Sequence, residues 1–156
     1  MKRVLFVCTG NICRSPTAEG VARHFITTGG LESLIEVDSA GTLGYHAGEP
    51  PDPRSRKVAA QRGYDLTPIR ARKLEAVDFQ RFDLLLAMDR GHLEQMVRNC
   101  PEVYRVKVRL FLDFADGVAE EEVPDPYYGG PNGFEFVLDL CEQGVDGLLK
   151  KLANPG

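Results

Sequence analysis

The chain has 156 residues, 43% hydrophobic and 27% charged, with a formal net charge of −4. That length suits a single domain over 1–156 with its own core, and the acidic balance argues against a general nucleic-acid binder, since no basic excess is present to neutralise phosphates. No apolar run approaches the roughly 20 residues of a membrane span, and the four cysteines and three histidines lack metal-ligand spacing; the expectation is a cytoplasmic protein with no nucleic-acid partner, no membrane partner, no metal and no organic cofactor.

The opening MKRVLFVC has the charge-then-apolar look of a signal peptide. Its apolar run, 4–7, is too short for one, and Gly10, Asn11 and Arg14 follow at once. Residues 3–8 read instead as a buried strand, Val-rich and without polar alternation. Ser15 and Pro16 read as helix N-cap and first helical position. Ala18, Val21, Ala22, Phe25 and Ile26 then form one apolar helical stripe, which Gly29 and Gly30 end. A second strand is expected over 34–39, followed by a Gly- and Pro-rich loop over 41–53.

A helix is predicted from Asp52 or Pro53 to about Gly63, and a short helical turn at DFQRFD. Residues 83–88 (DLLLAM) read as a third buried strand and 89–99 as a helix with Asp89 as N-cap. A fourth strand is expected over 106–112, an acidic Pro/Gly-rich loop over 115–133, and a last helix carrying Phe134, Val137, Leu138, Cys141, Val145, Leu148 and Leu149 on one side. Strands alternating with helices imply an α/β fold, a four-stranded parallel sheet with helices on both faces. Ligands in such sheets bind outside the carboxyl ends of the strands, where Cys8, Asp89 and the two long loops would gather.

The stretch CTGNICRS, 8–15, joins strand one to helix one. Unpaired N–H groups at the helix start, together with those of the loop, make an anion nest. Gly10 supplies positive φ freely, and Asn11 tolerates it. Arg14 adds a planar fork that matches two phosphate oxygens. The result is a phosphate-sized cup with a thiol at its base, and cationic surroundings of this kind favour a thiolate. Such a thiolate can take a phosphoryl group in line. A buried core cysteine and a surface arginine are the plain alternative.

The block VLFVCTGNICRSPTAEG resembles the signature of the low-molecular-weight protein tyrosine phosphatases. VDSAGT, GYHAGEPPDPRS, FDLLLAMD and VPDPYYGG resemble that family's second strand, following loop, third strand and acid loop, so the likeness runs along essentially the whole chain. It implies hydrolysis of phosphotyrosine in tyrosine-phosphorylated proteins through a phosphocysteine, releasing inorganic phosphate. By this resemblance Cys8 is the nucleophile, Arg14 binds phosphate and Asp125 is the general acid. Thr9, Gly10, Asn11, Ile12, Cys13 and Ser15 form the phosphate-binding loop, with Asn11 and Ser15 holding it and Ser15 donating to the Cys8 sulfur; that job competes with its reading as N-cap. Tyr45 and Tyr127 wall the slot for the aromatic ring; Tyr128 is read as a wall or a surface ring.

In the family, the aspartate at position 89 partners a histidine that braces the loop. Ile69 stands at the matching place here, so Asp89 is expected to bond Arg72 or to cap a helix. The acidic run Asp113, Asp116, Glu120, Glu121 and Glu122 reads as a solvated face or as a field acting on Asp125.

Three rivals share parts of this reading. Bacterial protein arginine phosphatases resemble the same family with Thr where Ile12 stands, and an apolar β-branched residue there favours the flat aromatic ester. Arsenate reductases of this fold need two further cysteines close together, whereas Cys100 and Cys141 are far apart in sequence. A non-catalytic phosphate-binding or thiol-redox module is the third; Cys13 lies near Cys8 around the loop, which makes a reversible Cys8–Cys13 disulfide possible in principle.

Overall fold

A strand that is apolar on both sides needs cover on both sides, and β1 (Lys2–Cys8) is buried from Val4 onward. In the computed structural model, which describes residues 1–126 and 132–153, β1 lies inside a four-stranded sheet of order β2-β1-β3-β4. β2 (Ile35–Gly41) and β3 (Leu84–Ala87) flank it in parallel, and β4 (Val108–Leu110) runs parallel to β3 at the edge.

The period of two along β1 sorts its side chains. Val4, Phe6 and Cys8 share a core with Ala18 and Val21 of α1 (Arg14–Thr28), Ala59 of α2 (Pro53–Gln61) and Leu138 of α5 (Gly133–Ala153). Leu5 and Val7 point the other way, against Phe79 of α3 (Ala76–Arg81) and Met96 of α4 (Arg90–Asn99). The expected α/β sheet with helices on both faces is thus the observed one, and the thiol at the tip of β1 faces the α1–α5 side.

α1 ends as its two glycines suggest. Gly30, at φ 67°, donates to Thr27 O, and Leu31 N–H reaches Ile26 O at 2.9 Å, the paired bonds of a Schellman stop. The fourth strand is shorter than expected. Only three residues pair with β3; 3₁₀ turns over Glu102–Lys107 and Phe111–Phe114 take the rest. The second turn swings Phe111 under the sheet, edge-on to Phe6 with ring centroids 5.4 Å apart. Packing of that ring, rather than continued pairing, ends the strand.

After β1 the chain crosses to β2 on one side, then returns past β1 to β3 on the other. The connections that leave β1 and β3 therefore diverge at the carboxyl edge and open a crevice there. The register places Cys8 beside Gly41. A Cβ on Gly41 would lie 2.6 Å from the Thr9 carbonyl oxygen and 3.1 Å from the Asn11 nitrogen, both backbone atoms. The end of β2 must be glycine for the loop after Cys8 to lie against it. Gly41→Ala is expected to lower stability by about 1–3 kcal/mol, read as a shift of the urea unfolding midpoint; an unshifted midpoint would show that the loop yields freely.

Candidate active site

The loop between Cys8 and α1 is built around one left-handed residue. Asn11 has φ 58°, whereas Gly10 is not among the positive-φ residues. The sequence reading gave both residues that freedom; the structure uses it only at Asn11. A Cβ at Gly10 would lie 3.0 Å from the His46 ring, which would have to give by a few tenths of an ångström.

Asn11 is 1% exposed, and its amide reaches three separate segments. Its Oδ1 accepts from Arg72 N–H at 3.0 Å, which fixes the orientation of the amide. Its Nδ2 donates to Ser15 Oγ at 2.8 Å and to Ser39 Oγ at 2.9 Å. Ser39 in turn donates to the buried Glu19 carboxylate at 2.6 Å. Burial pushes the Glu19 carboxyl above the usual range, against the lowering effect of Ser39 and Arg23. Ser15 Oγ lies 2.9 Å from Cys8 Sγ. Either atom of that pair can donate, and the Ser15 hydroxyl also lies 3.5 Å from the Ala40 carbonyl oxygen as a donor.

This arrangement decides between the two jobs read for Ser15. Helix α1 begins at Arg14, Cys13 is its N-cap residue, and no side chain caps it. Ser15 is not the cap: the helix starts two residues earlier than that reading requires, the Ser15 hydroxyl lies against the sulfur, and Pro16 falls in the first turn instead of at the first position. Cys13 is 8% exposed, and burial, with Asp52 and Cys8 nearby, pushes its thiol up to about 12. Cys8 and Cys13 are both free thiols.

Arg14 is 5% exposed and its guanidinium is clamped. Nη1 donates to Asp89 Oδ2 at 2.8 Å and to the Val123 carbonyl at 3.0 Å. Val123 is fully buried within an acidic stretch, and its own N–H donates to Met88 O at the end of β3 at 2.8 Å. It therefore ties the segment carrying Asp125 both to the sheet and to Arg14. Asp89 also caps α4, accepting from His92 N–H at 2.8 Å. Burial raises its carboxyl, but the His92 N–H and Arg14 outweigh that and hold it below the ordinary range. Of the two roles expected for Asp89, the cap is the one made; Arg72 pairs instead with Asp38 and Asp78.

Ile69 is buried in the core, as its apolar side chain requires. Bracing from its segment comes from a backbone group, the Arg72 N–H on Asn11. A histidine does brace the loop, but from α4. His92 Nε2 lies 2.7 Å from Thr9 Oγ1 and 3.4 Å from Arg14 Nη2. Burial, then the charge of Arg14, lowers its pKa to about 4, so the ring is neutral near pH 7. Nδ1 lies 3.1 Å from Asp89 Oδ1 without hydrogen-bond alignment. The tautomer that suits both sides carries its proton on Nδ1 and accepts at Nε2.

A cavity of about 350 Å³ opens over the thiol. Cys8, Thr9, Gly10, Ile12, Cys13 and Arg14 line its base, Asp125 one wall, and Leu43, Tyr45, His46 and Asp52 the rest. Cys8, Arg14, Asp125 and Tyr45 lie on one cavity, which Asn11 and Ser15 do not line. Tyr127 and Tyr128 lie outside the described residues. Sequence reading missed Ser39, His92, Val123, His46 and the cavity-facing position of Asp52. Only Val123, one apolar residue inside EEEVPDP, carried a visible signal. Glu121 and Glu122 of the acidic run engage Arg90, by side-chain ion pair and backbone N–H respectively. Among the described residues no group of three or more His, Cys, Asp or Glu side chains is placed to hold a metal ion, and no helix is long and apolar enough to cross a membrane.

The family model for low molecular weight phosphotyrosine protein phosphatases matches residues 3–155. The chain belongs to this family. A low molecular weight protein-tyrosine-phosphatase of Streptomyces coelicolor is 49% identical over 150 residues, covering 94% of this chain and 91% of that one. The human low molecular weight phosphotyrosine protein phosphatase is 38% identical over 151 residues, covering 96% and 95%. The crystal structure of a protein tyrosine phosphatase from Entamoeba histolytica with Hepes in its active site superposes with a TM-score of 0.94 at 42% identity, covering 98% of this chain and 97% of that one.

The neutral, buried His92 gives this phosphatase-family site a pH signature. Above the ordinary histidine value of about 6.5, folded and unfolded chains are both neutral at this position. Below it the unfolded chain takes up a proton that the folded chain accepts only near pH 4. Stability should therefore fall as pH drops through that window, with His92 contributing roughly 3 kcal/mol of the loss. His92→Gln should flatten the decline in urea midpoint between pH 7 and pH 4.5; equal slopes in both proteins would contradict a neutral His92.

Proposed function

We propose that this chain hydrolyses phosphotyrosine in proteins through a phosphocysteine intermediate, as a cytoplasmic, single-domain enzyme. The observation that carries the reading is the placement of Cys8, Arg14 and Asp125 on one cavity, with the Ser15 hydroxyl 2.9 Å behind the sulfur.

The Cys8 thiolate attacks phosphorus, forming the S–P bond as the P–O bond to tyrosine breaks. Arg14 and the N–H groups of the loop hold the equatorial phosphoryl oxygens, whose charge they match in both ground and transition state. Tyrosine leaves poorly as an anion, its phenol having a pKa of about 10. Asp125 removes that penalty by giving its proton to the leaving oxygen. The resulting carboxylate then takes a proton from water as that water attacks phosphorus. The S–P bond breaks, inorganic phosphate leaves, and the thiolate returns with Asp125 reprotonated.

The other residues act by position. Asp89 and the Val123 carbonyl hold the Arg14 fork beneath the phosphoryl group, and Asn11 and Ser15 hold the loop and the sulfur. Ile12 and Tyr45 offer apolar surface to the aromatic ring; Tyr127, expected from the sequence as the second wall, lies outside the described residues. A cavity of about 350 Å³ is in the range of small-molecule sites. Cys100 and Cys141 are buried in the two cores on opposite faces of the sheet, so they cannot meet as a resolving pair.

Cys8→Ser should abolish hydrolysis of a phosphotyrosine peptide, and Asp125→Ala should slow it by about 10²–10⁴-fold. Turnover of a phosphoarginine peptide exceeding that of its phosphotyrosine counterpart, or activity retained by Cys8→Ser, would overturn the assignment.

A further inference from the structure

Beside the thiol cup lies a second cavity, of about 610 Å³, between the loop after β2 and the α3 and α4 helices. Leu43 lines both cavities. The floor of the second is apolar, with Leu74, Phe79 and Met96. Its charged lining is Lys73 and Arg98 against a single carboxylate, Glu75.

Both cations are exposed, and neither has an ion-pair partner among the described residues. Lys73 is also held in place. It bridges Gly41 in parallel, the next residue donates from its N–H to Gly41 O at 2.8 Å, and its stem lies against Gly44. The cation thus stands beside the loop that carries Leu43 and Tyr45. A molecule with net charge −4 keeps two unneutralised cations on a groove that continues from its reaction cavity.

We propose that this groove seats the substrate residues flanking the phosphotyrosine and selects acidic side chains there. The inference rests on the phosphotyrosine reading above. An extended peptide advances about 3.4 Å per residue, so a chain whose phosphotyrosine enters the thiol cup passes over Leu43 within a few residues. Lys73 and Arg98 then face its flanking side chains across a rim open to solvent. Charge pairs at such a rim act on encounter and partner choice, and salt screens them.

The test uses two phosphotyrosine peptides that differ only in carrying Glu or Lys at the three positions on either side, with a small aryl phosphate as reference. The wild-type chain should prefer the Glu peptide in kcat/KM by about three- to tenfold at low salt, on the order expected of two exposed pairs, and the preference should shrink at high salt. The double reversal Lys73→Glu with Arg98→Glu should invert the ratio between peptides, a readout that cancels any loss of active protein. Lys73→Ala and Arg98→Ala should each reduce it. A wild-type ratio within twofold of unity, or a ratio unmoved by the double reversal, would overturn the groove assignment and leave the cavity to some other occupant. The two readings fail separately: aryl phosphate turnover without peptide preference sinks the groove alone, whereas no turnover of aryl phosphate sinks the phosphatase reading with it.

Discussion

The site depends on a single amide. Asn11 sits in the left-handed region at φ 58°, where a side chain costs least if it is Asn and can bond locally. Every hydrogen-bonding group of its carboxamide except the second Oδ1 lone pair is occupied by a different part of the fold: Arg72 N–H, Ser39 and Ser15. An amide with one acceptor committed to a backbone N–H cannot flip, so its two donors are fixed in direction. That direction holds the Ser15 oxygen as an acceptor from Asn11, 2.9 Å from the sulfur. The loop does not rely on its own turn propensity; it is moored to the end of β2 and to the segment before α3.

A second set of bonds holds the other half of the cup. Asp89, the Val123 carbonyl and the neutral ring of His92 converge on Arg14, and His92 also reaches Thr9. These partners come from the start of α4 and from the segment leading to Asp125. The Arg14 guanidinium and the segment carrying Asp125 are thereby tied to one buried residue, Val123. The pKa of about 4 for His92 belongs to this design: a charged ring beside Arg14 would repel it, whereas a neutral one can accept from it.

The fold was legible because its signals are local. Continuous apolar runs marked β1 and β3, the stripe from Ala18 to Ile26 marked α1, and the glycine pair marked its end. β4 was read too long because Val106, Phe111 and Leu112 look like strand residues, while only the packing of Phe111 on Phe6 reveals that the chain turns there. At the site, residues contiguous in CTGNICRS were readable as a unit. His92 and Ser39 were not, since their roles arise from strand register and helix phase, which carry no local mark. Ser15 shows the limit most clearly: Ser before Pro satisfies the rule for a helix cap, and tertiary demand from Cys8 and Asn11 overrides it.

Under the proposed function, the thiol at the tip of β1 becomes the phosphoryl acceptor because the loop and helix start are built around it. The most direct measurement is rapid quenching of the enzyme during turnover of a phosphotyrosine substrate, followed by peptide mapping by mass spectrometry. One transient phosphoryl group is expected, on the sulfur of Cys8. Turnover with no covalent intermediate on Cys8, or with the phosphoryl group on another residue, would contradict it.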